Sequence, residues 1–139
     1  MTQHPTDDDF RALLAFRDGL RGFLRWSEQQ AHDAGLTPAQ HQLLLAIRGH
    51  DGAPSMTDVA DHLLLRHHSV VELVDRAEQN GLVRRTPDAD DQRVVRLSLT
   101  RAGDRKLSAL SAAHLEELRR LRGSFTLLWR DEAGGPPAT

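Results

Sequence analysis

The hydrophobic period changes at Gly81, and this change limits the folds available to the chain more than any other feature. Before Gly81, apolar residues recur every three or four positions, as they do on a helix with one buried face. After it, the segments 82–86 and 94–99 are short, β-branched and roughly alternating, which is typical of strands. The chain therefore predicts a series of helices followed by a β-hairpin.

Capping residues divide the helical part. Residues 7–33 read as one long helix, because apolar side chains recur at helical spacing and aspartates occupy the first turn, where the helix dipole favours them. Gly35 closes this helix. Thr37 and Pro38 then open a second helix, which ends near Arg48.

The next two helices form a pair. Ser55 and Asp58 resemble a capping box, which predicts the start of a short third helix. After a turn at 64–67, a fourth helix runs to about Asn80, and Gly81 stands where a left-handed residue is favoured. Two helices joined by a tight turn and followed at once by a hairpin make a winged helix-turn-helix, whose second helix fits the major groove of DNA.

A further helix follows the hairpin. Thr100 reads as the N-cap of a helix that runs from residue 101 to about 122, where Gly123 and Ser124 interrupt it. Residues 125–129 are expected to form one or two more apolar turns. The composition of residues 133–139 predicts a disordered tail.

Composition narrows the function classes. The chain has no cysteine, which excludes disulfides, thiolate metal sites and a thiol switch. Its net charge is -2, yet residues 82–106 carry seven basic side chains against four acidic ones. The N-terminus is polar and acidic, and no apolar run reaches the roughly 18 residues of a membrane span. We therefore expect a soluble cytoplasmic protein with no membrane partner.

Several motifs occur in a fixed order along about residues 36–107. They are Leu36-Thr37-Pro38-Ala39-Gln40, Met56-Thr57-Asp58-Val59-Ala60-Asp61-His62-Leu63, Val70, Leu73-Val74-Asp75-Arg76, Asn80-Gly81-Leu82-Val83-Arg84-Arg85, Asp88, Asp91, Arg93, Leu97-Ser98-Leu99-Thr100 and Gly103. Together they resemble the MarR family of winged helix-turn-helix transcriptional regulators. The resemblance implies a mainly α fold with a small β-hairpin wing and with N- and C-terminal dimerisation helices.

The resemblance also implies a domain plan and a function. Residues 1–34 and 107–132 would form the dimerisation helices, and residues 35–106 the DNA-binding lobe. The homodimer would bind a pseudo-palindromic duplex site as a ligand-responsive repressor, with its two lobes over successive major grooves.

Nine residues are candidate contacts to double-stranded DNA by this resemblance: Thr57, Arg66, His67, His68, Ser69, Val71, Glu72, Arg84 and Arg93. Arg93 would enter the minor groove and Asp91 would hold it in place, the alternative being a solvated turn arginine. Glu72 repels phosphate unless it accepts from a cytosine amino group or pairs with Arg76 one turn on, and we expect the pair.

MarR-like proteins release DNA when a small aromatic or anionic effector enters a crevice between the dimerisation helices and the winged lobe. Arg25, Trp26, His41 and His114 are the candidate residues of that crevice here. Ordinary packing or surface exposure is the alternative for each of them. The sequence identifies no particular effector and predicts no cofactor.

Other functional classes fit the sequence less well. No Gly-rich phosphate loop, G-x-S-x-G or HExxH motif indicates an enzyme. His62, His67 and His68 are expected to cluster around the turn of the helix-turn-helix, but no HxxxH pair shares a helix face, so we predict no metal site. The main alternative is a winged-helix protein-interaction or dimerisation module that has lost strong DNA binding, which Glu72, His67 and the negative net charge favour.

His67 and His68 lie on the predicted fourth helix, the recognition helix of the proposed helix-turn-helix, and they predict a pH-dependent affinity for DNA. An imidazole gains a proton as the pH falls through about 6.5, and the resulting cation is attracted to phosphate. At fixed salt, we therefore expect binding of one duplex oligonucleotide to strengthen from about pH 8 to about pH 6. Fluorescence anisotropy measures the dissociation constant, and a flat profile over this range would contradict the prediction.

Overall fold

Eight helices and strands follow one another in the computed structural model, which describes residues 4–126 and 128. Their bounds are α1 Asp7–Asp33, α2 Pro38–Gly49, α3 Met56–Leu63, α4 His67–Gln79, β1 Val83–Pro87, β2 Val95–Leu99, α5 Arg101–Arg120 and α6 Arg122–Thr126. The two strands pair antiparallel. The predicted class, mainly helical with a small β-hairpin wing, is confirmed.

The chain forms two compact units. One comprises the described parts of residues 1–27 and 113–139, and the other comprises residues 28–112. The second unit extends at both ends beyond the predicted lobe of residues 35–106, because α1 and α5 each contribute one end to it.

Aromatic rings hold the first unit together. The rings of Phe16 and Phe125 meet edge to face, with centroids 5.4 Å apart. Phe23, Trp26 and His114 form a second ring cluster, in which the centroids of Trp26 and His114 are 4.8 Å apart. Within this unit, α1 therefore packs against the C-terminal helices.

Reciprocal capping boxes start α2 and α3. The sequence predicts the box at Ser55, whereas at Thr37 it predicts only a cap residue followed by proline. The Thr37 hydroxyl accepts from the N–H of Gln40, and the Gln40 side chain accepts from the N–H of Thr37, both at 3.1 Å. Ser55 and Asp58 make the same exchange at 3.2 and 2.9 Å. Each cap satisfies first-turn N–H groups and contributes about 1 kcal/mol.

One apolar core lies between the helix-turn-helix and the hairpin. Its fully buried leucines and valines come from four elements: Leu43, Leu44, Val59, Val70, Val74 and Leu97. On α4, Val70, Val74 and Ala77 follow the spacing of one helix face. Their burial leaves the opposite face of α4 in solvent.

Gly81 and Leu97 join the hairpin to the rest of the lobe. In its register, Val83 pairs with Leu99. Both β1 and β2 begin one residue later than predicted. The Leu97 N–H donates to the Pro54 carbonyl at 2.9 Å, which joins β2 to the segment that precedes α3. Gly81 has a φ of +74° between α4 and β1, a conformation that side chains with a Cβ rarely adopt.

The C-terminal helix breaks earlier than predicted. α5 ends at Arg120 and Leu121 forms the turn, whereas Gly123 and Ser124 lie inside α6. A glycine is tolerated within a helix at a cost of about 1 kcal/mol, so its presence did not determine the break.

Two expectations about the C-terminus lie beyond the described residues. The predicted tail at 133–139 and the end of the predicted apolar turns, residue 129, both fall there. In the part of the chain that the structure describes, no helix is long and apolar enough to cross a membrane.

Gly103 permits a close approach between α5 and the segment that joins α4 to β1. A Cβ at this position would stand 2.2 Å from the Leu82 carbonyl oxygen. The same oxygen accepts from the N–H of Thr100 at 3.0 Å, and the Thr100 hydroxyl donates to the Gly81 carbonyl at 2.6 Å. The start of α5 is therefore held against the segment that joins α4 to β1.

Gly103→Ala should destabilise the protein by about 2 kcal/mol, because the added methyl group forces the backbone to move. Gly49→Ala is the matched control, since a Cβ at Gly49 in α2 would meet nothing within 4 Å. Its effect should be neutral or stabilising by up to about 1 kcal/mol, given the better helix propensity of alanine. Urea denaturation compares the two variants, and equal midpoints would show that Gly103 has no packing role.

Candidate nucleic-acid interface

α4 presents a polar face opposite its buried valines. His68 and Glu72 lie on this outward face, and both are exposed. Ser69 and Val71 flank it and are half-buried. A helix with this division between buried and exposed sides offers one continuous surface to a groove.

The N-terminus of α4 is open to a ligand. Arg66 is the N-cap residue, and its side chain makes no capping hydrogen bond. Arg66, His67 and His68 are all exposed. First-turn N–H groups without helical partners attract anions, and the helix dipole adds to this attraction. This end of α4 is suited to a phosphate group.

The remaining helix and strand candidates lie in the same compact unit as α4. Thr57 occupies the first turn of α3, and Arg84 lies on β1 opposite Ser98. Both Thr57 and Arg84 are exposed. All nine candidate DNA contacts thus belong to residues 28–112.

Arg93 lies in the loop of the hairpin with 91% of its side chain exposed. Its Nε and Nη2 donate to the two carboxylate oxygens of Asp91 at 3.1 and 3.2 Å, and its N–H donates to the same carboxylate at 3.1 Å. The side-chain hydrogen bond from Arg93, followed by the backbone one, holds the pKa of Asp91 below its usual value. The guanidinium is therefore exposed and oriented at the same time.

Asp88 closes the hairpin loop. One of its carboxylate oxygens accepts from the N–H groups of Asp90 and Asp91 at 3.1 and 3.0 Å, and the other accepts from Arg96 Nε at 2.8 Å. The hydrogen bond from Arg96 is the largest cause that lowers the pKa of Asp88. No local motif points to Arg96, because its partner Asp88 lies across the hairpin.

Arg85 is a second arginine whose contacts do not follow from the sequence. Its Nη2 contacts the Asp75 carboxylate, and its Nε lies 3.8 Å from Glu78 Oε1. Asp75 and Arg85 belong to the family motifs, but their contact depends on how β1 folds back on α4. This contact fixes the first strand against the C-terminal half of α4.

Glu72 does not pair with Arg76, which corrects the expectation from the sequence. The ion pairs found among residues 4–126 and 128 do not include these two side chains. Arg76 lies instead beside a groove of about 640 Å³, together with His32 and Gln40. The Glu72 carboxylate is therefore exposed on the outward face of α4 without Arg76 to neutralise it.

His62 contacts a histidine that the sequence did not suggest. His50 Nδ1 and His62 Nε2 are 3.0 Å apart, and His50 Nε2 lies 3.6 Å from Asp58 Oδ2. The contact arises because the end of α2 packs beside α3. Among the residues described, no three His, Cys, Asp or Glu side chains are placed to hold a metal ion.

The candidate effector residues divide between the two units. Arg25, Trp26 and His114 belong to the first unit, in which Arg25 is exposed and the other two are half-buried. His114 Nε2 lies 2.6 Å from the Ser27 hydroxyl. His41 belongs to the second unit and is buried. A crevice lined by all four residues stays a prediction.

Comparison with known proteins identifies relatives of this lobe. A model of the MarR family matches residues 34–94. The chain is 36% identical over 78 residues to the HTH-type transcriptional repressor MdtR of Bacillus subtilis, an alignment that covers 56% of this chain and 50% of the relative. The chain thus spans about half the length of this curated relative.

Solved structures share the fold. The X-ray structure of YusO from Bacillus subtilis has a TM-score of 0.66 at 26% identity, over 86% of this chain and 85% of that chain. A mutant of S. aureus MepR bound to an oligodeoxyribonucleotide has a TM-score of 0.67 at 23% identity, over 78% of this chain and 79% of that chain.

The family match begins before α2 and ends in the hairpin loop, so it contains the recognition helix and both Asp91 and Arg93. The curated relatives that match are named HTH-type transcriptional repressors or regulators. Residues 34–94 thus match the MarR family, and this part of the chain is similar to HTH-type transcriptional regulators.

Proposed function

We propose that this protein regulates transcription in the cytoplasm by binding duplex DNA, with α4 in the major groove and Arg93 in the adjacent minor groove. The observation that carries the proposal is that the Arg93 side chain is both exposed and held in one direction. Its side chain is 91% exposed, yet Asp91 fixes its direction with two hydrogen bonds. An arginine that is ordered before binding loses less side-chain entropy when it enters a groove.

The remaining donors of Arg93 support this role. Nε and Nη2 bond to Asp91, and within the described chain Nη1 has no hydrogen-bond partner. A narrow minor groove concentrates negative potential and attracts such a planar cation. Arg93 therefore has donors left for base edges or sugar oxygens.

The recognition helix supplies a second set of contacts. Arg66 and the open N-terminus of α4 suit a phosphate, and His68 and Glu72 lie where base edges would face the helix. Since Arg76 does not neutralise Glu72, its carboxylate is free to accept from a cytosine amino group. Thr57 and Arg84 on the flanking elements complete the proposed surface.

The proposed assembly is a homodimer that binds a pseudo-palindromic site. Apolar side chains of the first unit are exposed in the single chain, on α1 and on the end of α5: Phe10, Leu13, Leu14, Leu20, Leu24, Leu115 and Leu118. Exposed apolar patches of this kind mark protein interfaces. A second copy that covers them would place two lobes on one duplex.

Repression and release by an effector follow from the same proposal. The relative MdtR is named a transcriptional repressor, and we extend this sign of regulation to the present chain. The cluster of Phe23, Trp26 and His114 offers aromatic faces to a small aromatic or anionic effector.

Arg93→Ala should weaken binding to a duplex selected from random sequence by about tenfold or more, since it removes one oriented cation from the minor groove. Arg11→Ala is the matched control, because Arg11 is an exposed arginine on α1 whose ion-pair partner is Asp8. It should leave the dissociation constant nearly unchanged. Anisotropy titrations of both variants measure the dissociation constant. If Arg93→Ala bound the duplex as tightly as the natural protein, Arg93 would not contact DNA.

The same titrations at several salt concentrations distinguish the alternative function. DNA binding through several phosphates must weaken steeply as salt rises. A winged-helix module that binds other proteins through apolar contacts would show little affinity for any duplex, even in dilute buffer. That outcome would reject the proposal.

A further inference from the structure

We propose that Arg96 is a positioning residue that sets the place of Arg93 relative to the recognition helix. The inference deepens the proposed function and rests on it. Arg96 lies on β2, and its side chain touches three separate segments. Nε donates to Asp88 at 2.8 Å, and Nη1 donates to the Ala53 carbonyl at 3.3 Å and lies 4.0 Å from Asp58 Oδ2. One guanidinium thus joins the wing to the start of α3.

Asp88 carries this link into the hairpin loop. The carboxylate oxygen that Arg96 does not use accepts from the N–H groups of Asp90 and Asp91. The loop is also closed by main-chain hydrogen bonds, from Asp88 to Val94 at 2.8 Å and from Val94 to Asp91 at 3.0 Å. Without Arg96, Asp88 keeps its bonds inside the loop but loses its attachment to the lobe.

Asp91 carries the link to Arg93. Its backbone is held by Asp88, and its carboxylate bonds to the Arg93 side chain. Hydrogen bonds therefore run without a gap from Ala53 in the loop before α3, through Arg96, Asp88 and Asp91, to the exposed guanidinium of Arg93. An ion pair between Arg96 and Asp58 adds a contact with the first turn of α3. The separation between Arg93 and α4 depends on this path, because α3 packs against α4 in the core.

The lobe does not depend on the Arg96 side chain for folding. The main chain of β2 is joined to the segment before α3 by the Leu97 to Pro54 hydrogen bond and by the bridge between Ser55 and Arg96. Leu97 is fully buried. Removing the guanidinium should therefore loosen the loop and leave the core intact.

A double-mutant cycle with Arg96→Gln and Arg93→Ala tests the inference. If Arg96 acts through Arg93, Arg96→Gln weakens DNA binding on the order of tenfold in the natural background and has no further effect once Arg93 is alanine. If Arg96 contacts DNA itself, the two losses multiply, and that result would overturn the inference. Arg101→Gln, an exposed change at the start of α5, removes the same charge and should multiply with Arg93→Ala or have no effect.

A second measurement needs no DNA. In Arg96→Gln, the pKa of Asp88, measured by NMR, should rise towards its usual value, and the amides of Asp90 and Asp91 should exchange faster with solvent. Arg101→Gln should change neither. Unchanged exchange and an unchanged pKa in Arg96→Gln would reject the positioning role. If the natural protein bound no duplex while these changes appeared, the proposed function would fail and the loop attachment would stand.

Discussion

The burial of Leu97 is the contact on which the rest of the lobe depends. Its side chain is fully buried with leucines and valines of α2, α3 and α4, and its N–H is bonded to Pro54. Because side chains alternate along a strand, fixing Leu97 inward also fixes where Arg96 and Ser98 point. The position of the whole wing follows from this single register.

Charge in the lobe is organised by pairing. Arg85 is held by the Asp75 carboxylate on α4, and Arg96 is held by the Asp88 carboxylate in the hairpin loop. Both arginines thus join separate parts of the lobe. Arg93 is also paired, but it is the one of these three whose side chain is almost fully exposed. A chain with a net charge of -2 can therefore present a local cation, because acidic residues such as Asp91 orient the arginines that they neutralise in part.

Local signals predicted most of the fold. The structure contains the predicted cap at Thr37, the capping box at Ser55, the left-handed Gly81 and the helical spacing of Val70 and Val74. Each of these features involves residues within a few positions of each other. Predictions from local spacing and propensity were wrong at two places. Glu72 and Arg76 are spaced to pair but do not, and Gly123 was expected to break a helix that breaks at Leu121.

Some contacts of the candidate site could be expected from the sequence, and others could not. The resemblance to MarR-type regulators implied the pair of Asp91 and Arg93, and the hydrogen bonds between the two side chains agree with that expectation. The contacts of Arg96 with Ala53, of Arg85 with Asp75 and of His50 with His62 could not, because each joins different elements of the fold.

The sequence by itself determined the elements, their caps and the order that makes a winged helix-turn-helix, since these depend on period and on neighbours along the chain. Only the tertiary structure decided which of Arg85, Arg93 and Arg96 are held within the lobe and which of the three reaches solvent. The reason is that Arg85 and Arg96 find their partners through the packing of separate elements, and no local pattern encodes those distances.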